Sequence, residues 1–297
     1  MTTKNLLLLF VPTILIGQGA GVNPAELLKP LKDSWPTYNG DYSGKRYSAL
    51  KQIDKSTVKN LTLAWMSRVT PGAGNPGTGG RGGSVPKIII GDNGPSSFFY
   101  TGGSIKGSVL QVDGTLYFST PDNAWAMDAL DGRELWHYVW KTKGGTHIAN
   151  RGLGIWNNFL YMETPDNYLV SLDARTGKER WHKEIADVRQ QYFCTPAPII
   201  VGRHVIVGIG GDSLDVPGYL ESREPETGEL QWRWYTTPQT MGAPGSETWP
   251  DEYSMTHGGG MTWLPPTYDP ELNLLYLPTG NPNPVFVLIQ PNVKSHL

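Results

Sequence analysis

The stretch "DNYLVSLDARTGKERW", Asp166 to Trp181, is a near restatement of "DNAWAMDALDGRELW", Asp122 to Trp136. The likeness extends backwards, into "NNFLYMETPDN" from Asn157 and "DGTLYFSTPDN" from Asp113. A looser third copy, "GRHVIVGIGGDSLDVPGYLESREPETGELQW", runs from Gly202 to Trp232. Each copy alternates apolar runs with turn residues and closes on a tryptophan four residues after a Gly. Gly is the residue type a tight hairpin at positive φ requires.

The closing tryptophans, Trp136, Trp181 and Trp232, are 45 and 51 residues apart. That period is close to the ~40–50 residues of one four-stranded propeller blade. A blade alone leaves two apolar faces open, so several must pack side by side. Each closing indole can supply ~200 Å² of ring surface to the flank of the next blade. The reading is an all-β chain built as a β-propeller.

Composition agrees. In 297 residues there are 36 Gly, 24 Pro, 11 Trp and 14 Tyr, with only 18% charged, which describes many short strands and tight turns. With 25 Lys+Arg against 27 Asp+Glu, no basic surface is offered to nucleic acid. Cys194 is the only cysteine, so one chain can form neither a disulfide nor a thiolate metal cluster, and it reads as a buried apolar filler. No cysteine follows the N-terminal apolar run, which excludes a lipid anchor there.

The opening segment has Lys4, an apolar run from Leu6 to Ile16 and small residues at Gly19 to Gly21. That layout is a secretory signal peptide over 1–21, too short to span a bilayer, and predicts a periplasmic protein without an integral membrane span. Further on, "IDKSTVKNL" reads as a short capped helix leading into a strand over Leu61 to Met66. The Gly/Pro-rich Val69 to Val85 reads as a loop; its "GAGNPG" is not a nucleotide fingerprint, because Pro76 and the following glycines cannot open a helix. "HGGG" at His257 to Gly260 lacks the G-x-S-x-G elbow of a hydrolase.

Three stretches, "YNGDYSGKRYSAL" (Tyr38 to Leu50), "NRGLGIW" (Asn150 to Trp156) and "GGGMTWLPPTYDPELNLLYLPTGNPNP" (Gly258 to Pro284), together resemble the quinoprotein alcohol dehydrogenases of the methanol and ethanol type. The resemblance covers residues 35–284 and implies an eight-bladed propeller of which about half the ring is present, with 285–297 an unrelated tail. It implies pyrroloquinoline quinone (PQQ) and Ca2+ as cofactors, an alcohol substrate and a cytochrome c-like electron acceptor. It also implies roles. Arg151 pairs with quinone oxygens, Thr195 hydrogen-bonds the cofactor, and Trp263 is the flat floor under its rings. Asn281 ligates calcium. A planar, always charged fork, an indole face and a neutral carbonyl oxygen suit those tasks.

The chain also departs from that pattern. Gly145 and Thr146 stand where the family has adjacent cysteines, Lys106 where it has a glutamate, and Ser213 where it has the calcium-binding glutamate. Asp212 or Asp215 could supply that carboxylate instead. The family's catalytic aspartate, with an asparagine and a lysine, belongs to blades beyond Pro284, whereas here an unrelated tail runs to Leu297, as after a frameshift or premature stop. Two readings stay open: a PQQ-dependent alcohol dehydrogenase represented by its N-terminal half, and a non-catalytic periplasmic propeller that binds or scaffolds. A third, an outer-membrane assembly propeller, shares the turn and tryptophan pattern but lacks the lipid-bearing cysteine.

Overall fold

The computed structural model describes residues 21–69, 105–143, 149–190, 192–211 and 216–282. The expected signal peptide, apart from Gly21, the tail over 285–297, and Gly145, Thr146, Asp212, Ser213 and Asp215 lie outside them.

Three antiparallel sheets of four strands each are laid down in chain order. The first holds β1 (Leu110–Val112), β2 (Thr115–Thr120), β3 (Asn123–Asp128) and β4 (Glu134–Val139). The second holds β5 (Gly154–Trp156), β6 (Phe159–Glu163), β7 (Tyr168–Asp173) and β8 (Glu179–Glu184). The third holds β9 (Ile199–Val201), β10 (His204–Val207), β11 (Tyr219–Arg223) and β12 (Leu230–Tyr235). A two-stranded sheet, β13 (Thr267–Asp269) with β14 (Leu274–Tyr276), follows.

In each four-stranded sheet every strand pairs with the next, and the fourth strand is the most exposed. The first strands, β5 and β9, approach one another across the sheet boundary, so first strands line an inner edge. These are propeller blades. In all three, the third and fourth strands slip register at one point, between Ala126 and Met127, Ser171 and Leu172, and Ser222 and Arg223. The repeated irregularity follows from the repeated turn and increases the local twist. The described blades form part of a ring and leave it open.

Two of the three closing tryptophans, Trp136 and Trp181, work as the repeat predicts, and the contact is specific. Trp136 lies on the turn of the second blade, where a Cβ on Gly177 (φ 67) would fall 2.6 Å from the indole, and its Nε1 donates to the Ala174 carbonyl at 2.9 Å. Trp181 covers Gly228 of the third blade, where a Cβ would fall 2.7 Å from its ring. Its Nε1 has no acceptor among the described residues; the equivalent carbonyl, Pro225, accepts instead from the Tyr161 hydroxyl at 2.8 Å and from Arg180 Nη1 at 3.4 Å. Trp65 covers Gly132 of the first blade in the same way and donates to Ala129 O at 3.1 Å. Trp65 is therefore the docking tryptophan of a preceding unit.

The chain around Trp65 corrects one expectation. Leu61 to Met66 is irregular rather than a strand, with Leu63 80% and Met66 86% exposed, because no described edge pairs with it. The predicted helix is a single 3-10 turn, Val58–Asn60, started by the Asp54 carboxylate accepting from the Ser56 and Thr57 amides.

A strap joins the blades at one end. Val22 pairs with Asn157 in the β5–β6 turn, Trp35 with Gln111 of β1, and the Tyr42 hydroxyl donates to Ile200 O of β9. Tyr42 O then accepts from Tyr268 N at 3.3 Å, and the two rings meet edge to face at 5.3 Å. This single segment touches all four sheets, and Tyr42 belongs to the first resemblance stretch. The core lies between blades: Leu110, Leu160, Met162 and Leu172 on one side of the second blade, Tyr161, Leu169, Val205 and Ile209 on the other. Beyond the third blade Trp232 and Trp234 stand 37% and 54% exposed, covering no described turn.

Candidate functional site

The "NRG" motif is a shelf built by its asparagine. Asn150 is buried; its Oδ1 accepts from Ser119 Oγ at 2.6 Å and the Gly152 amide at 2.9 Å, while its Nδ2 donates to Glu163 O at 2.9 Å. That bracket joins the first blade to the second and holds the residue between its own hydrogen bonds, Arg151, at the inner edge. Arg151 N donates to Thr195 O at 3.0 Å, and its carbonyl accepts from Ser108 N at 2.9 Å. Gly107 is needed beside it, since a Cβ there would lie 2.8 Å from the Arg151 carbonyl carbon. Lys106 immediately precedes it and is partly buried.

The Arg151 guanidinium lies over the Trp263 indole, its carbon 4.7 Å from the ring centre, and Nη1 reaches Thr195 O at 3.4 Å. The neighbour of Trp263, Thr262, is buried; its hydroxyl donates to Tyr219 O and accepts from Ile209 N at 2.8 Å. The tryptophan itself is only partly buried, so a rigid anchor holds a ring at the margin of the core. Thr195 is buried, and its hydroxyl points to Trp263 O at 3.4 Å. Three residues 44 and 68 positions apart in sequence thus share one corner. A fixed indole face with a planar cation on it can bind a flat, anionic, conjugated molecule by stacking and charge-assisted hydrogen bonding.

Behind the shelf is a residue that the sequence reading missed. Glu163, at the end of β6, is fully buried, and neither carboxyl oxygen has a hydrogen-bond partner among the described residues. Burial raises its pKa well above the ordinary glutamate range, and the Gly208 amide, the Cys194 thiol and the Arg151 charge, which oppose the shift, do not cancel it. Cys194 is buried as expected, yet it faces this carboxyl as well as apolar neighbours; burial, reinforced by Glu163, holds it as an inert thiol. The signal was available: aligning "FSTPDN" with "METPDN" sets Ser119 against Glu163.

Asn281 is exposed, and its carbonyl accepts from Gly260 N at 3.0 Å. Among the described residues no three His, Cys, Asp or Glu side chains converge on a point, and Asp212 lies outside them. One neutral amide alone falls short of the ~6–8 oxygens that a calcium ion takes. His257 stacks on Tyr253 at 3.9 Å. No described helix is long and apolar enough to cross a membrane.

Residues 35–289 match the family model for the glucose/ethanol/alcohol dehydrogenase β-propeller domain, a PQQ family. The chain belongs to this family. Among the relatives of the PQQ dehydrogenase propeller, it is 33% identical to quinohemoprotein alcohol dehydrogenase ADH IIB of Pseudomonas putida, over 94% of this chain and 39% of that protein. It is 30% identical to the quinohemoprotein alcohol dehydrogenase of Comamonas testosteroni, over 84% of this chain and 34% of that one. The solved structure of ADHIIG from Pseudomonas putida HK5 superposes with a TM-score of 0.71 at 29% identity, covering 89% of this chain and 37% of the other. The chain thus spans little more than a third of the length of these relatives.

Proposed function

We propose that this chain carries the quinone-binding floor of a periplasmic PQQ-dependent alcohol dehydrogenase whose electrons pass to a cytochrome-like acceptor. The observation that carries the reading is the Arg151 guanidinium lying on the partly buried indole of Trp263 beside Thr195. When bound, PQQ supplies the hydride-accepting centre that no side chain possesses. Trp263 would stack against its rings, and Arg151 would move aside from the indole to pair with its carboxylate and carbonyl oxygens. The Thr195 hydroxyl would exchange its long bond to Trp263 O for one to the cofactor. Asn281 and Asp212 are the proposed calcium ligands, and 1–21 the export signal. No residue of this chain is proposed as the base that takes the alcohol proton.

The test is reconstitution of the purified chain with PQQ, with and without Ca2+, followed by tryptophan quenching and quinone absorbance. Saturable quenching that disappears in Trp263→Ala supports the reading; absence of bound quinone removes it. A second reading, a propeller that binds or scaffolds without cofactor, is favoured by Lys106, which stands where the family has a glutamate and next in sequence to Gly107, the residue packed against the Arg151 backbone. Turnover of primary alcohols with an artificial acceptor separates catalysis from binding.

A further inference from the structure

Two acidic residues three positions apart are buried near this site, and only one is satisfied. Asp166 accepts from Trp140 Nε1 at 2.7 Å, Thr164 Oγ1 at 2.7 Å and Lys143 N at 2.8 Å. That is how a buried carboxylate is normally held. Glu163 has no partner of that quality among the described residues, only the Gly208 amide and the Cys194 thiol nearby in weaker geometry, although the corresponding residue of the first blade, Ser119, finishes its bonding on Asn150. A carboxyl so placed exists as the neutral acid unless a cation nearby holds it ionised. The shelf brings Arg151 to it: Asn150, the residue before the arginine, donates to the Glu163 carbonyl at 2.9 Å, Arg151 N and Nη1 both donate to Thr195 O beside Cys194, and the guanidinium charge acts on the carboxyl. The other groups facing Glu163 are the Cys194 thiol before β9, the Gly208 amide after β10, and Glu221 of β11, whose carboxylate is already engaged by Arg223 and Arg233.

We propose that Glu163 is a positioning residue that competes with an anionic ligand for Arg151: it is protonated when the arginine holds the ligand and opposes binding when it ionises. Binding a carboxylate-bearing quinone is then coupled to proton uptake. The inference rests on the proposed floor for such a quinone and adds to it a preference for lower pH. The sign follows from linkage. A second negative charge at Arg151 raises the Glu163 pKa further, so between its free and bound values the complex takes up one proton and the dissociation constant rises about tenfold per pH unit. Below the free value the affinity is flat.

The experiment titrates PQQ into the wild-type chain and into Glu163→Gln and Cys194→Ala from pH 5.5 to 9, reading tryptophan quenching. Calorimetry of the wild type in two buffers of different ionisation enthalpy counts protons without any variant. The expected result is a Kd that climbs with pH in the wild type and in Cys194→Ala but not in Glu163→Gln, with net proton uptake where it climbs. A pH-independent wild-type Kd, a slope retained in Glu163→Gln, or a slope lost in Cys194→Ala overturns the assignment. Absence of quenching at every pH instead removes the quinone floor itself, and this inference with it.

Discussion

Trp136 rests on Gly177 so closely that the glycine's missing side chain is what admits the indole, a Cβ there falling 2.6 Å from the ring. One blade's last strand is thereby fastened to the next blade's last turn. Gly177 also has φ 67, where an L side chain is strained. Gly177→Ala combines both penalties, backbone strain of ~1 kcal/mol and an overpacked contact of ~1–3 kcal/mol. Urea unfolding is expected to show a loss of about 2–4 kcal/mol, while Gly202→Ala, in a turn with open space around it, loses only the strain.

How far this fold could be read in the sequence is clear from the same contact. The 45-residue period and the turn glycine announce the blades and the use of their tryptophans. The third docking residue, Trp65, is hidden because the Gly/Pro-rich segment after Val69 stretches its distance from Trp136 to 71 residues. An apolar run at Leu61 to Met66 suggested a strand, but strand formation needs a partner edge, which local sequence does not supply. The grouping of Arg151, Thr195 and Trp263 came from family likeness, since no spacing rule predicts which inner-edge loops converge. Glu163 was visible as a mismatch between copies, but its burial depends on the facing blade.

The buried carboxyl makes the fold itself sensitive to pH. A carboxyl raised in the folded state favours folding only where the unfolded chain is protonated too. Stability therefore falls as pH rises above the unfolded value near ~4.3, by up to ~1.4 kcal/mol per unit, and levels off once the folded value is passed. Glu163→Gln removes this dependence. Chemical unfolding from pH 4 to 8 is expected to show the wild type losing stability relative to the variant; parallel curves would contradict a neutral buried acid.

Asn150 tests whether the shelf beneath Arg151 is one unit. Alanine there strands the Ser119 hydroxyl, the Gly152 amide and the Glu163 carbonyl in the interior, at ~1–3 kcal/mol for each group left without a partner. Asn150→Ala is expected to lose about 3 kcal/mol in urea and, where it remains folded, to weaken PQQ quenching as much as Arg151→Ala does. Equal PQQ affinity in folded Asn150→Ala and wild type would show that the arginine is positioned by other contacts.

Glu221 carries the strongest electrostatic anchor of the third blade. It is fully buried and receives Arg223 Nε at 2.8 Å and Nη2 at 2.6 Å on one oxygen and Arg233 on the other. Neutralising it in Glu221→Gln leaves Arg223 buried with its counter-charge gone, and breaking a buried pair in this way costs about 3–5 kcal/mol. The double change Glu221→Leu with Arg223→Met removes both charges from the interior and should restore much of that loss, whereas additive destabilisation would mean that packing, not charge, explains the single variant.

Trp65 and Trp232 separate a tryptophan that fastens two blades from one that has nothing to fasten. Trp65 sits outside any described strand, but its indole lies on Gly132 and donates to Ala129 O at 3.1 Å. Trp232 lies in a regular strand, pairing with Ser222, yet covers no described turn. A reading based on secondary structure would rank Trp232 as the more important; the docking geometry ranks it second. Truncating a half-buried indole and its hydrogen bond removes roughly 2–3 kcal/mol. Trp65→Ala is expected to show that loss in urea together with faster hydrogen exchange at β3 and β4, the strands flanking the Gly132 turn. Trp232→Ala should lie within ~0.5–1 kcal/mol of wild type, as surface changes do. Equal losses at the two positions would mean that the contact with the following turn is not what makes these tryptophans stabilising.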